Sequence, residues 1–238
     1  MKTLKQLQEG LYDPNIFKAF FMAGGPGSGK SYVVKKSTGG TGLKIVNSDD
    51  AFEKMLKKAG LSLKMPDDEL IPRDKIRDKA KVLTDKRKDN YVEGRLGLVI
   101  DGTGKDLDKI TNQASDLKQI GYDVYMIFVN TSLDVALENN QKRARTLKDS
   151  IVKDSWNAVQ NNMGKFQQLF GTGLIIVDNS NGSNIEKAIL SAYRRVWKWS
   201  KTPPSKSAAK KWIARQNAVR GIREEAVEEG AMGGAAGA

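Results

Sequence analysis

The segment Gly24–Ser31, GGPGSGKS, constrains this chain more than any other. It completes the spacing Gly-x4-Gly-Lys-Ser with Gly24, Gly29, Lys30 and Ser31. An apolar run, FKAFFMA over 17–23, precedes it, and SYVVKK opens a helical pattern after it. That order is strand, loop, helix. The glycines Gly24, Gly25, Gly27 and Gly29, with Ser28 among them, let successive backbone N–H groups turn inward onto oxygen anions. A helix N-terminus behind them adds positive dipole. Lys30 is spaced to reach the β- and γ-phosphates, and the Ser31 hydroxyl to ligate Mg²⁺. The expected cofactors are therefore ATP or GTP, with Mg²⁺.

Four further apolar runs share the character of the first: 43–47, 96–100, 122–130 and 173–177. Each is followed by a turn or a helical pattern. Strands that alternate with helices predict an α/β fold, with a parallel sheet of about five strands and helices on both faces. Helical periodicity covers roughly 29–37, 50–59, 73–93, 105–120, 132–147, 151–170 and 183–199. Asp106, Ser132 and Ser183 are expected as N-terminal caps. Trp156, Val159, Met163, Phe166 and Phe170 recur at helical spacing, as do Ile185, Ile189 and Val196, and both sets read as core-facing stripes.

Composition narrows the chemistry. The 238 residues contain neither Cys nor His, which excludes disulfides, Cys-based zinc sites and Ser–His or Cys–His nucleophiles. A general base must be a carboxylate, Lys or Tyr. The first ten residues are polar and lack the apolar stretch of a signal peptide, and no run approaches a membrane span, so a cytoplasmic protein is expected.

Acids end two of the apolar runs. NSDD places Asp49 and Asp50 at the C-terminal edge expected beside the phosphate loop, where ligands of open α/β sheets bind. A carboxylate there can accept the proton of an attacking hydroxyl, or it can cap the next helix. Asp49 is the slightly favoured base. The segment DGTGKDLDKI aims Asp101, Thr103 and Lys105 at the same crevice, with Asp101 also in the position of a magnesium ligand. Downstream, Arg143 and Arg145 are candidates to cover a transferring phosphoryl group. Two residues apart on one helix they would point about 200° from each other, so both can face a nucleotide only if the helix ends or bends between them.

These residues resemble the zeta-toxin P-loop kinases. The resemblance rests on GGPGSGKS, IVNSDDAF, LVIDGTGK and GYDVYMIFVNTSLDVAL, in that order, and covers about residues 16–190. It implies a P-loop kinase fold and ATP-dependent phosphorylation of a hydroxyl on a small metabolite, a UDP-N-acetyl amino sugar. Carried over by position, Asp49 or Asp50 would be the base, Asp101, Thr103 and Lys105 would hold the sugar nucleotide, and an antitoxin would be a partner. The family has Glu at the position of Asp101 and Arg at that of Lys105, and both differences alter reach and bidentate pairing. NSDD is also similar to the corresponding segment of polynucleotide kinases, whose acceptor is a 5′-hydroxyl. A non-catalytic nucleotide switch is the third alternative.

The net charge of +12 is concentrated. Residues 187–223 hold eleven Lys/Arg and no Asp/Glu, while the other 201 residues carry 29 bases and 28 acids. Interleaved with Tyr193, Trp197, Trp199 and Trp212, these bases suit nucleic acid, a protein or membrane partner, or a solvated helix face. KTPPSKS, 201–207, reads as a break. The expected organisation is a kinase domain over 1–200, a basic helical extension over 201–229 and a disordered tail over 230–238.

Overall fold

The computed structural model describes residues 11, 13–64, 66–143 and 145–233, with the backbone alone for residue 67 and for residues 222–233. Five strands form one parallel sheet: β1 (Lys18–Ala23), β2 (Lys44–Val46), β3 (Leu98–Asp101), β4 (Asp123–Asn130) and β5 (Leu174–Asp178). The spatial order is β2-β3-β1-β4-β5. The central strand β1 is buried along its whole length, as a strand covered on both faces must be. Each strand lies within two residues of the run expected from sequence.

Helices α1 (Lys30–Thr38), α2 (Ser48–Lys58), α3 (Leu70–Glu93) and α4 (Leu107–Gln119) follow the first three strands. Then come α5 (Leu133–Gln141), α6 (Asp149–Phe170), α7 (Ile185–Lys201) and α8 (Ser207–Gly233). Alternation along β1 sorts the core. Phe21 and its neighbours pack against Ile110 and Ala114 of α4 and Val159 and Phe166 of α6. Phe20 and Met22 pack the other way, against Val33 of α1 and Ile189 and Val196 of α7. Helices α2 and α3 form a satellite cluster around Phe52, Leu56 and Ala80.

One expected cap holds and three local expectations change. Asp106 caps α4, accepting from Lys109 N at 3.0 Å. Ser132 sits at the start of α5 but makes no cap hydrogen bond. Asn184, not Ser183, caps α7, accepting from Lys187 N at 3.0 Å. Helix α5 stops at Gln141, six residues before the periodicity suggested.

The segment 201–207, expected as a break, is tied to the body. Lys18, 1% exposed, places Nζ 2.7 Å from Asp123 Oδ2. The Ser205 N–H donates to the same oxygen at 3.1 Å, and its hydroxyl donates to Asp123 Oδ1. Beyond it Ala209 is fully buried and Trp212 meets Phe17 edge-on at 5.5 Å. The chain thus passes from the α1/α7 face of the sheet to the α4/α6 face. Helix α8 continues to Gly233, through the first residues of the expected tail, and 234–238 lie outside the described residues.

Burial alone would raise the Asp123 pKa, but Lys18 and Ser205 together hold it below its ordinary value. That contribution to stability is complete above the unfolded-state value of about 3.9 and is lost as pH falls through the lower folded value. Lys18→Met should therefore destabilise the protein by roughly 3–5 kcal/mol at neutral pH, because a buried charge loses its partner. Urea titrations should also show a weaker further loss below about pH 4 than in the parent. A variant as stable as the parent at pH 7 would refute this role.

Candidate active site

The phosphate loop leaves β1 at its C-terminal end. Gly24 N–H donates to Thr103 O at 2.8 Å, extending the β1–β3 pairing past the last strand residue. Gly27 has φ 78°, and a Cβ there would lie 2.0 Å from Ala136 O of α5, so only glycine fits. Gly29 starts α1 in the left-handed region, at φ 80°. Two asparagines tie the loop carbonyls down: Asn139 Nδ2 donates to Gly27 O and Asn179 Nδ2 to Ser28 O, each at 2.9 Å. At the N-terminus of α1 the N–H groups of Lys30 and Ser31 have no intrahelical carbonyl to bond. The buried Ser28 hydroxyl has no hydrogen-bond partner among the described residues. A Cβ at Gly25 would lie 3.6 Å from the Trp156 backbone. Side chains at Gly24, Gly27 or Gly29 would collide with Ser28, Ala136 or Asn179, so only glycines let the loop close this tightly, with N–H donors and Lys30 at its rim. The loop fits a nucleotide polyphosphate.

Two acid–base pairs stand beside it. Lys30 Nζ is ion-paired with Asp101 Oδ1, whose side chain is only 4% exposed. Arg145, 7% exposed, grips Asp49 with both terminal nitrogens, Nη1 to Oδ1 and Nη2 to Oδ2 at 3.2 Å. Its Nε is 3.8 Å from Glu53 Oε1. Arg77 Nη1 lies 3.8 Å from Asp49 Oδ1, and its guanidinium rests over the Phe52 ring at 4.1 Å. Desolvation pushes the Asp49 pKa up, but Arg145 first, then Arg77 and Lys30, bring it below its ordinary value. Asp49 is therefore a carboxylate held ionised inside a ring of cations.

The neighbours that sequence could not separate are separated by geometry. Asp50 is exposed on α2. Arg143 is exposed, and its N–H only closes a turn to Asn140 O at 3.3 Å. The end of α5 at Gln141 is what lets Arg145 turn back to Asp49. The helix cap expected of Asp49 or Asp50 belongs to Asn47, whose Oδ1 accepts from Asp49 N at 2.7 Å. The Asn47 Nδ2 donates to Asp101 Oδ2 at 2.8 Å, so one side chain links both acids.

Beside the pairs lies a cavity of about 320 Å³ between α3, α4 and the loop 101–106. Asp101, Thr103 and Lys105 all line it, as their spacing suggested. Lys81 and Lys88 of α3 and Lys109 of α4 line it too, and sequence reasoning passed over them. Spaced by four and seven residues, Arg77, Lys81 and Lys88 share one face of α3, and that spacing was the readable signal. The supporting asparagines at 47, 139 and 179 carried no comparable signal, since only tertiary contact gives them a role. Ser31 Oγ and the Asp101 carboxylate would be the protein ligands of a divalent cation of the Mg²⁺ type, which is held by one or two protein ligands plus phosphates, with Asp101 exchanging its Lys30 and Asn47 partners for the ion.

Among the described residues no helix is long and apolar enough to cross a membrane. No curated protein sequence is significantly similar to this chain. Solved structures share the fold at 16% identity. A candidate kinase from Chloroflexus aurantiacus aligns with a TM-score of 0.51, covering 79% of this chain and 98% of its own. The PezAT chromosomal toxin–antitoxin system of Streptococcus pneumoniae aligns with a TM-score of 0.52 over 84% and 93%. AvrRxo1-ORF1:-ORF2 with ATP aligns at 0.53 over 68% of this chain, which spans about half of that one, 54%. Residues 12–184 match the Zeta toxin family, so the chain belongs to the zeta toxin family and is a P-loop phosphotransferase.

Proposed function

We propose that this enzyme transfers the γ-phosphoryl group of ATP to a hydroxyl of a small anionic metabolite, a UDP-N-acetyl amino sugar. The observation that carries this reading is the ionised Asp49 beside a cavity that Lys81, Lys88, Lys105 and Lys109 line. Lysines suit an acceptor that bears phosphate, and the family resemblance supplies the sugar nucleotide. ATP would supply the phosphoryl group, and Ser31 and Asp101 would hold a Mg²⁺ that supplies charge neutralisation. Lys30 meets the β- and γ-phosphates. Asp49 accepts the proton of the attacking hydroxyl, and Arg145 offers its guanidinium to the charge that builds on the transferring group. Asn47 keeps the two acids in fixed relation. Thr103 and Lys105 orient the acceptor. The second reading, a polynucleotide 5′-hydroxyl kinase, draws on the same lysines, which would serve a 5′-terminal nucleotide equally. The family resemblance also pairs this kinase with an inhibitory antitoxin.

Labelled ATP offered with UDP-N-acetyl amino sugars, uncharged sugars and 5′-hydroxyl oligonucleotides should mark the first acceptor and spare the uncharged sugars. Lys30→Ala should abolish transfer to every acceptor; undiminished turnover would end the phosphate-loop assignment. Asp49→Asn should lower turnover by roughly 10²–10⁴ while ATP binding survives. Asp50→Asn should stay close to the parent, and the reverse pattern would transfer the base to Asp50. Asn47→Ser can still cap α2 but cannot reach Asp101. Turnover should fall while thermal stability holds, whereas Asn47→Ala should also lose about 1 kcal/mol of stability. Full activity in both would show that Asn47 positions nothing.

A further inference from the structure

The bases of 187–223 look uniform in sequence, but the structure divides them. Three of the four aromatics among them face inward. Trp199 stacks on Tyr125 at 4.4 Å, Trp212 meets Phe17, and Tyr193 is half-buried. Trp197 remains 41% exposed, with Lys201 Nζ 4.9 Å from its ring centre and Tyr193 beside it at 6.0 Å. Lys187, Arg194, Lys198 and Lys201 are exposed along the outer side of α7. That row spans about 21 Å at ~1.5 Å per residue. Lys206, Lys210, Lys211 and Arg215, also exposed, continue it into α8 around the rim of the sheet opposite the phosphate loop. Among the described residues none of these eight bases pairs with a carboxylate, whereas Lys81, Lys88 and Lys142 on other helices do.

We propose that the outer face of α7, continued by the first turns of α8, binds single-stranded nucleic acid, with phosphates along the row of bases and one base stacked on Trp197. Charge complementarity selects the partner. A row of cations without carboxylate partners beside one exposed ring matches a polyanion that carries planar bases. A membrane surface would need apolar side chains to insert, but Ile189 and Val196 of α7 are in the core. A folded protein partner would need an apolar centre, and this face offers only Leu190 and Trp197. The surface lies beyond the matched residues 12–184 and away from Asp49, so it stands independently of the acceptor reading.

The test is fluorescence anisotropy of labelled 20-nucleotide RNA and DNA strands with the full chain, from 50 to 200 mM salt. Binding should weaken with salt. The triple variant Arg194→Gln/Lys198→Gln/Lys201→Gln should bind at least tenfold more weakly. Its log–log salt slope should be shallower by about 2, at roughly 0.7 per phosphate contact. Trp197→Ala should lose roughly tenfold at an unchanged slope. Phosphotransfer to a small acceptor and the melting temperature should stay at parent values in all variants, which keeps failure here distinct from failure of the kinase reading. Parent-like binding by the triple variant would overturn the proposal. So would equal affinity for heparin or for phosphatidylserine vesicles with Trp197→Ala silent.

Discussion

The catalytic edge hangs on the parallel register of three strands. Met22 of β1 lies opposite Asp101 of β3, and Val46 of β2 lies opposite Ile100. Continuing each pairing by one or two residues brings Gly24 against Thr103 and sets Asn47 alongside Asp101. The phosphate loop, Asp101 and the cap of α2 thus converge without any side chain having to reach far. A slip of one residue would turn every side chain of a strand to the other face of the sheet. The apolar residues on both faces of β1 resist that slip, so the packing that holds the sheet also fixes the distances at the site.

The site is built from opposed charges at close range. Lys30 and Arg145 would repel each other and lose hydration if they stood alone beside the loop. Asp101 and Asp49 offset that, and Arg77 adds a cation that is itself supported on Phe52. The arrangement serves two ends. It lets a cluster of cations persist in a partly dehydrated crevice, and it keeps the Asp49 carboxylate ionised among them.

Most of this fold was legible because its signals are local. Runs such as 122–130 can only be buried strands, and GGPGSGKS specifies strand, loop and helix at once. The site was legible as a set of segments, not as a set of partners. Asp49 and Asp50 are adjacent, as Arg143 and Arg145 nearly are, and periodicity cannot tell which one turns inward. Exposure decides the first choice, and the stop of α5 at Gln141 decides the second. Asn139 and Asn179 hold loop carbonyls from helices and loops far along the chain, and no local pattern marks them. The segment 201–207 does break the helix between α7 and α8, but its two prolines and two serines could not show that Ser205 is fastened to a buried carboxylate some eighty residues away.

That fastening has a consequence for the order in which the chain can become a protein. Domains form as units while synthesis proceeds from the N-terminus. Here the lower rim of the sheet stays open until residues 205–212 are available. Until then Asp123 lacks both Ser205 bonds, and the face formed by Phe17 and Gly121 lacks Ala209 and Trp212. The phosphate loop and both acids are synthesised long before that closure, so the catalytic edge is encoded early and secured late. A nascent or clipped chain carries every candidate site residue on a body whose sheet is not yet sealed.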